Sequence, residues 1–472
     1  MVNFGLFDDW YPEPGRLTSW TASPRSRAAV REAPVHEAGP SYQQESYLRA
    51  THRNSGAGFR VSRLCMIAFD IPGAPDYDAM TRTVNAFLRR HDTFSSWFSI
   101  DSDGRLDRHV ADPSDIDVVA TDHGEFTDSE AIRAHVQEET PEAFDWDCFS
   151  FGVIARDDSF TVYAAVDHLH TDGVGQALSC VDLLTLYGRE LSGGQVPIAE
   201  VEGHIAHCAR ERERNARLTP DSPEVRRWVE LLQLNDGDVP AFPLDLGGGA
   251  GYTRGAQLTL PLMSEADALR FEQVCVDNGG RFLGGLFAAI AIAELELAGR
   301  DWYFGFTPAN TRATPGEAGS IGWYTNLIPV TVAIRADDTF ATLVASAQEA
   351  AESAKDLLDV SLHRVLELTT PDMGIRTRPG WTAPMLSYVD VRKITGAEMF
   401  DKINGGLYGS SASAGEVFTW VNRLPEQTKL SLLFPDTPQA RESIDRYVKA
   451  LTAIITTVAA QGDYGIRAVT AS

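Results

Sequence analysis

The chain has 472 residues, 43% apolar and 23% charged, a globular balance that excludes disorder and allows two or three domains or one large duplicated unit. Its 66 acidic against 41 basic side chains give a formal charge of −25, a field that repels phosphate backbones and argues against nucleic acid as a partner. Lysine occurs only at 355, 393, 402, 429 and 449, so arginine dominates the basic set, a bias of a GC-rich genome more than of mechanism.

The N-terminal stretch carries Asp8, Asp9 and Glu13 and no basic region, which speaks against a secretory signal. Residues 64–69 form a short apolar run that reads as a strand. Met80, Val84, Phe87 and Leu88 recur at helical spacing and predict an amphipathic helix over 78–91. Residues 94–100 read as another strand, ended by the turn signal Asp-Ser-Asp-Gly at 101–104. A buried strand is expected over 159–166 and a helix over 174–191. Ser-Gly-Gly-Gln-Val-Pro at 192–197 then breaks the pattern and suggests two halves, 1–195 and 196–472.

Past that break, the charged run 210–214 reads as a solvated helix face. The glycine-rich stretch 246–251 lacks the Lys-Ser/Thr of a phosphate-binding loop and is read as a surface loop. Ser264 with Asp267 resembles a capping box opening a helix to about 277. The apolar helix expected over 281–298 must be buried on most sides. Its apolar run, 282–293, stops at Glu294 and Glu296 and is too short for the about 20 residues of a membrane span. Strands are predicted over 302–307, 328–334, 385–389, 417–421 and 429–434. Ile444, Tyr447, Val448, Leu451, Ile454, Ile455 and Val458 define a C-terminal amphipathic helix. Five cysteines at irregular spacing are expected to be free thiols in a reducing compartment. The expectation is an α/β protein of the cytoplasm, with peripheral attachment to the inner face of the plasma membrane left open.

The densest polar cluster in an apolar setting is Asp-His-Leu-His-Thr-Asp-Gly at 167–173, between the 159–166 strand and the 174–191 helix. Strand ends in α/β proteins present side chains to crevices. An imidazole there, with a carboxylate four residues on, is what a general base needs. On residue types alone, a turn with two exposed histidines, His168 and His170, stands level with that reading.

Context separates the two. The cluster resembles the HHxxxDG motif of the condensation-domain and acyltransferase superfamily, with His168 on the catalytic second His and Asp172 and Gly173 on its DG. Asp167 departs from the pattern, standing where the family has its first, supporting His. Other blocks fall in the family's order: Pro-Ser-Tyr-Gln-Gln at 40–44, Leu-Arg-Arg-His-Asp-Thr-Phe-Ser-Ser-Trp-Phe at 88–98, Phe-Asp-Trp-Asp at 144–147, Pro-Ala-Asn-Thr-Arg at 308–312, Ile-Gly-Trp-Tyr-Thr-Asn at 321–326 and the stretch 360–366. Within the superfamily, Asp-Trp-Tyr-Pro-Glu-Pro-Gly at 9–15 and Gly-Trp-Tyr-Thr at 322–325 look most like the polyketide-associated (Pap) acyltransferases of mycobacteria and relatives.

That resemblance implies two chloramphenicol-acetyltransferase-like subdomains in a V-shaped, condensation-domain-like fold with a central channel. It implies O-acyl transfer from acyl-CoA or an acyl carrier, such as that of a polyketide synthase, to trehalose or a sulfated or acylated trehalose, by a monomer without metal or other cofactor. His168 is then the base and Asp172 its neighbouring carboxylate, in an ion pair with Arg312; Asp167 and Gly173 support the loop. His170, Gly322, Trp323, Tyr324 and Asn326 are candidates for substrate contact, and backbone N–H groups near Gly173 or Gly322 for the oxyanion. A stand-alone condensation enzyme, a diol-lipid acyltransferase and an inactive scaffold are the alternatives. His204-Ile-Ala-His207-Cys208 has ligand types without a second cluster, so zinc is not expected there. Ser410, Ser411 and Ser413 make no nucleophile elbow.

Overall fold

The computed structural model describes residues 3–61, 63–248, 251–378, 380–393, 397–410 and 412–467; Ser411 and part of the 246–251 loop lie outside these. The chain divides into two compact units. The first comprises Met1–Arg217, Asn310–Thr325 and Gly396–Ser411; the second comprises Leu218–Ala309, Asn326–Thr395 and Ala412–Ser472. The helix His204–Ala216, beyond the glycine-rich break, still belongs to the first unit, as does the 310–325 segment.

The first unit is built on a seven-stranded sheet in the order Asn3–Leu6, Gly406–Gly409, Leu64–Pro72, Ser159–Asp167, Phe149–Ala155, Gly15–Ala22, Val118–Phe126. Ser159–Asp167 is central, antiparallel to both neighbours, with Asp167 opposite Leu64 and Val166 opposite Phe149. Flanked on both edges and rich in Val, Tyr and Ala, it is buried along nearly its whole length. The expected helix follows as Gly173–Leu191, with Asp172 as its N-cap. The strand at the 94–100 run starts at Ser96, because Asp92–Ser95 forms a short 3₁₀ turn that buries Phe94.

The second unit has its own seven-stranded sheet, in the order Thr325–Ala333, Trp302–Asn310, Met385–Asp390, Phe418–Arg423, Gln427–Pro435, Thr253–Ser264, Ser413–Ala414. Phe282–Ala298 lies inside its core with residues of every face buried, as its unbroken apolar run requires. At Ser264 the structure corrects the expected box. Its hydroxyl accepts the Asp267 N–H and donates to the Asp267 carboxylate, which therefore does not reach back to the cap's own N–H. Among the described residues no helix is long and apolar enough to cross a membrane. All five cysteines are free and buried.

Candidate active site

The polar cluster forms where the central strand runs out. Asp167, fully buried, caps the single 3₁₀ turn His168–His170, its Oδ1 accepting the Leu169 N–H at 2.9 Å. The same oxygen accepts the Tyr47 hydroxyl at 2.9 Å, and that hydroxyl accepts the Arg63 N–H at 2.6 Å. Backbone bonds hold the turn at both ends of the peptide: Asp167 N–H to Cys148 O and His168 N–H to Arg63 O, 2.7 Å. Gln44 closes the far side. Its amide donates to Leu169 O at 2.9 Å, while its oxygen accepts from the buried Arg108 at 3.0 Å. Gln44 is also the third residue of the helix Tyr42–Arg53 and completes its capping box with Ser41.

This scaffold fixes His168. Trp323 packs on the imidazole with ring centroids 4.2 Å apart, and Tyr47 meets Trp323 edge-on at 5.5 Å. Nδ1 of His168 is buried with no hydrogen-bond partner, yet the residue keeps part of its surface, which lies away from Nδ1. Burial, reinforced by the positive charge of Arg63, lowers its pKa to about 4, so the ring is neutral at pH 7. His170 points inward instead: it is 1% exposed, bonds Thr93 through Nδ1 at 2.9 Å, and burial lowers it to about 3. The turn therefore does not expose two histidines.

Four residues on, Asp172 is saturated. Oδ1 accepts the Gly175 N–H at 2.7 Å and Arg312 Nη2 at 3.2 Å. Oδ2 accepts Arg312 Nη1 at 3.0 Å, the Tyr324 N–H at 2.9 Å and the Thr325 hydroxyl at 3.3 Å. Both partners of this ion pair are 3% exposed. Arg312 also lies over the Tyr324 ring at 4.2 Å and donates to Ser320 O. A carboxylate so engaged shapes the loop; it has no acceptor left for His168.

Gly173 and Val174, the exposed first residues of the helix, have N–H groups without intrahelical partners. Gly322 is required by contact, since a Cβ there would sit 2.4 Å from the His204 ring. His204 Nε2 meets Trp323 O at 3.2 Å, and His207 holds Glu317 through Nδ1 at 2.9 Å. Neither belongs, with Cys208, to a ligand-like group among the described residues. Tyr324 is fully buried and Asn326 is spent on Leu358 O and Val360 O in the second unit. The 167–173 turn thus gathers His168, Asp172, Arg312 and Trp323; Asn326 belongs to the second unit. Tyr47 and Arg63, which hold the turn, carry no signal in the sequence; Gln44 falls within the Pro-Ser-Tyr-Gln-Gln stretch at 40–44, where nothing local marks its role.

Residues 64–377 match the condensation-domain family. A curated relative, the 2'-acyl-2-O-sulfo-trehalose (hydroxy)phthioceranyltransferase PapA1 of Mycobacterium tuberculosis, is 39% identical over 98% of this chain and 89% of its own. The trehalose-2-sulfate acyltransferase PapA2 of the same species is 40% identical over 96% of this chain and 97% of its own. A solved PapA2 acyl transferase superposes with a TM-score of 0.88 at 38% identity, covering 97% of this chain and 100% of that one. The condensation domain of the Monacolin K polyketide synthase MokA shares the fold at 13% identity, with a TM-score of 0.70 over 91% of this chain and 98% of its own.

Proposed function

From the premise that the chain belongs to the condensation-domain family, and within it to the Pap acyltransferases, we propose that it transfers a long-chain fatty or polyketide acyl group from a thioester to a hydroxyl of trehalose or a trehalose glycolipid. The observation that carries this reading is the match to two trehalose-acylating relatives over nearly the whole of both chains. The histidine turn supplies the chemistry. His168, neutral and partly open, takes the hydroxyl proton as the sugar oxygen bonds to the thioester carbonyl carbon. The tetrahedral intermediate then breaks its C–S bond, and the proton passes from the imidazolium to the departing thiolate. The negative charge on the carbonyl oxygen stabilises the imidazolium formed beside it, which offsets the low basicity that burial imposes. Candidate donors to that oxygen are the open N–H groups of Gly173 and Val174, and the Gly322–Trp323 backbone. Asp172 and Arg312 act as positioning residues that fix the loop. Acyl-CoA or a carrier-bound acyl group, both made in the cytoplasm, serves as donor, and the enzyme works there.

Asp167 in place of the family's first His leaves room for an inactive scaffold. Its side chain caps the turn and leaves the His168 ring in place, which favours activity. Thiol release from palmitoyl-CoA, with and without trehalose or trehalose-2-sulfate, decides between them. Acceptor-dependent release, lost in His168→Ala, is the expected result. Release that answers only to an amine or a diol would replace the sugar reading. No release with any CoA- or carrier-bound donor would leave the scaffold.

A further inference from the structure

A second convergence of imidazole and carboxylate lies on the far edge of the first unit's sheet. His123 sits on the edge strand Val118–Phe126, and His135 and Glu139 sit one turn apart on the helix Ser129–Glu139 that follows it. His123 Nε2 is 3.2 Å from Glu139 Oε1, and His135 Nε2 is 3.7 Å from Glu139 Oε2. The two imidazole centroids are 4.3 Å apart, and one ligand atom from each of the three residues lies within 4.8 Å of the others.

Hydrogen bonding accounts for only half of this cluster. The fully buried Ser19 donates its hydroxyl proton to Glu139 Oε1 at 2.6 Å, and its oxygen meets His123 Nε2 at 2.8 Å. His135 Nε2 and Glu139 Oε2 are both buried and both without a hydrogen-bond partner. At 3.7 Å they face each other too far apart for a hydrogen bond and too close for water between them. Two buried lone-pair atoms that separation apart are what a cation bridges. Zinc bonds nitrogen and oxygen at about 2.0–2.2 Å, so tetrahedral ligand atoms stand about 3.3 Å from one another, near the 3.7 Å between His135 Nε2 and Glu139 Oε2.

We infer that His123, His135 and Glu139 bind a divalent cation of the zinc class, which clamps the helix Ser129–Glu139 onto the sheet's edge strand. Two neutral imidazoles and one carboxylate suit zinc or cobalt over magnesium or calcium, which prefer all-oxygen shells. A water completes the fourth position, and the Nε2 proton of His123 moves to Nδ1 on binding, so no proton need be released there. None of the three residues belongs to the His168 turn, so the role is to hold structure.

The test uses the full chain, stripped with chelator and titrated with Co²⁺ alone. One equivalent giving the intense visible absorption of a four-coordinate ion, displaced by Zn²⁺, is expected, together with a rise in Tm on adding Zn²⁺. His123→Ala, His135→Ala and Glu139→Gln should each weaken binding by more than the about 10–100-fold typical of losing an outer-shell partner. Binding of equal strength in all three variants, or no four-coordinate spectrum, overturns the site. Should a variant fail to fold, zinc-edge X-ray absorption on the unmutated protein still decides: two imidazole ligands support the site, and none overturns it.

Discussion

Two groups of buried histidines share the first unit, and they differ in what their ring nitrogens touch. His207 spends both, on Glu317 and on Thr311 at 3.3 Å, and His204 gives Nε2 to the Trp323 carbonyl. His168 has Trp323 against its ring and no partner on its buried Nδ1. Burial lowers all three to about 4, so weakened basicity does not tell them apart. The distinction is satisfaction. His204 and His207 find partners inside the protein, whereas His168 keeps an unpartnered Nδ1 in a partly open residue. An unsatisfied ring is costly to stability unless something outside the chain completes it, a substrate at His168 or, at His135, the inferred cation.

The sharpest way to break this contrast is to delete each kind of ring. His168→Ala should lower kcat/KM by at least the about 10²–10⁴-fold of general-base catalysis, with circular dichroism unchanged. His207→Ala should leave most of kcat/KM and lower Tm instead. The pH profile adds a second cut: kcat/KM should stay level on the acid side past the ordinary histidine value of 6.5 and fall only as pH approaches 4. Stability follows the same window with a worked sign. His168, His170, His204 and His207 hold fewer protons folded than unfolded between about pH 6.5 and their lowered values, so stability falls as pH drops through it.

The next effect concerns the loop rather than the ring. Asp172→Asn leaves Arg312 buried against a neutral partner and should cost about 3–5 kcal/mol, read as a fall in the denaturant midpoint. Arg312→Met in the same background should add much less than it does alone, because the two act as one unit.

How far the sequence foretold these regions depends on how local their causes are. The 167–173 turn was legible because strand, cap and helix follow one another in the chain, each with its own pattern. The pairing of Asp172 with Arg312, 140 residues away, came through family resemblance and not through spacing. Tyr47 and Arg63 were not legible, since nothing local marks a tyrosine whose hydroxyl reaches Asp167 across 120 residues. Likewise the strands Gly15–Ala22 and Val118–Phe126 are not legible in the pattern. The second is an edge strand with most of its side chains open to solvent, so it lacks the apolar alternation that betrays a half-buried strand. The His123 cluster is hidden in the sequence for that reason: one of its members sits on a strand that the pattern does not reveal.

A smaller effect is expected where His207 meets Glu317. Glu317 is 1% exposed, and its Oε2 accepts the Ala313 N–H at 2.6 Å while Arg210 and His207 hold Oε1. These contacts outweigh burial and hold its pKa at about 2. A lowered carboxylate stabilises the fold above its unfolded value near 4.3, and that contribution is lost as pH falls toward 2. Glu317→Gln places an amide donor against Arg210 and should cost about 1–3 kcal/mol at pH 7. The variant's stability should also change less than the parent's between pH 4.5 and 2, which acid titration of the unfolding midpoint would read.

The mildest change separates orientation from chemistry at His168 itself. Tyr47→Phe keeps the ring that meets Trp323 and removes only the hydroxyl between Asp167 and the Arg63 N–H. Two hydrogen bonds at about 0.5–1.5 kcal/mol each set the scale of the stability loss. If the hydroxyl serves to hold the histidine turn in register, kcat should fall several-fold while the KM for the acyl donor stays close to the parent's. The pH at which activity fails should not move, because the burial and the Arg63 charge that set the His168 pKa are retained. A shift of that pH would instead tie Tyr47 to the proton itself, and the difference between satisfied and unsatisfied histidines would then have to include the shell that holds them.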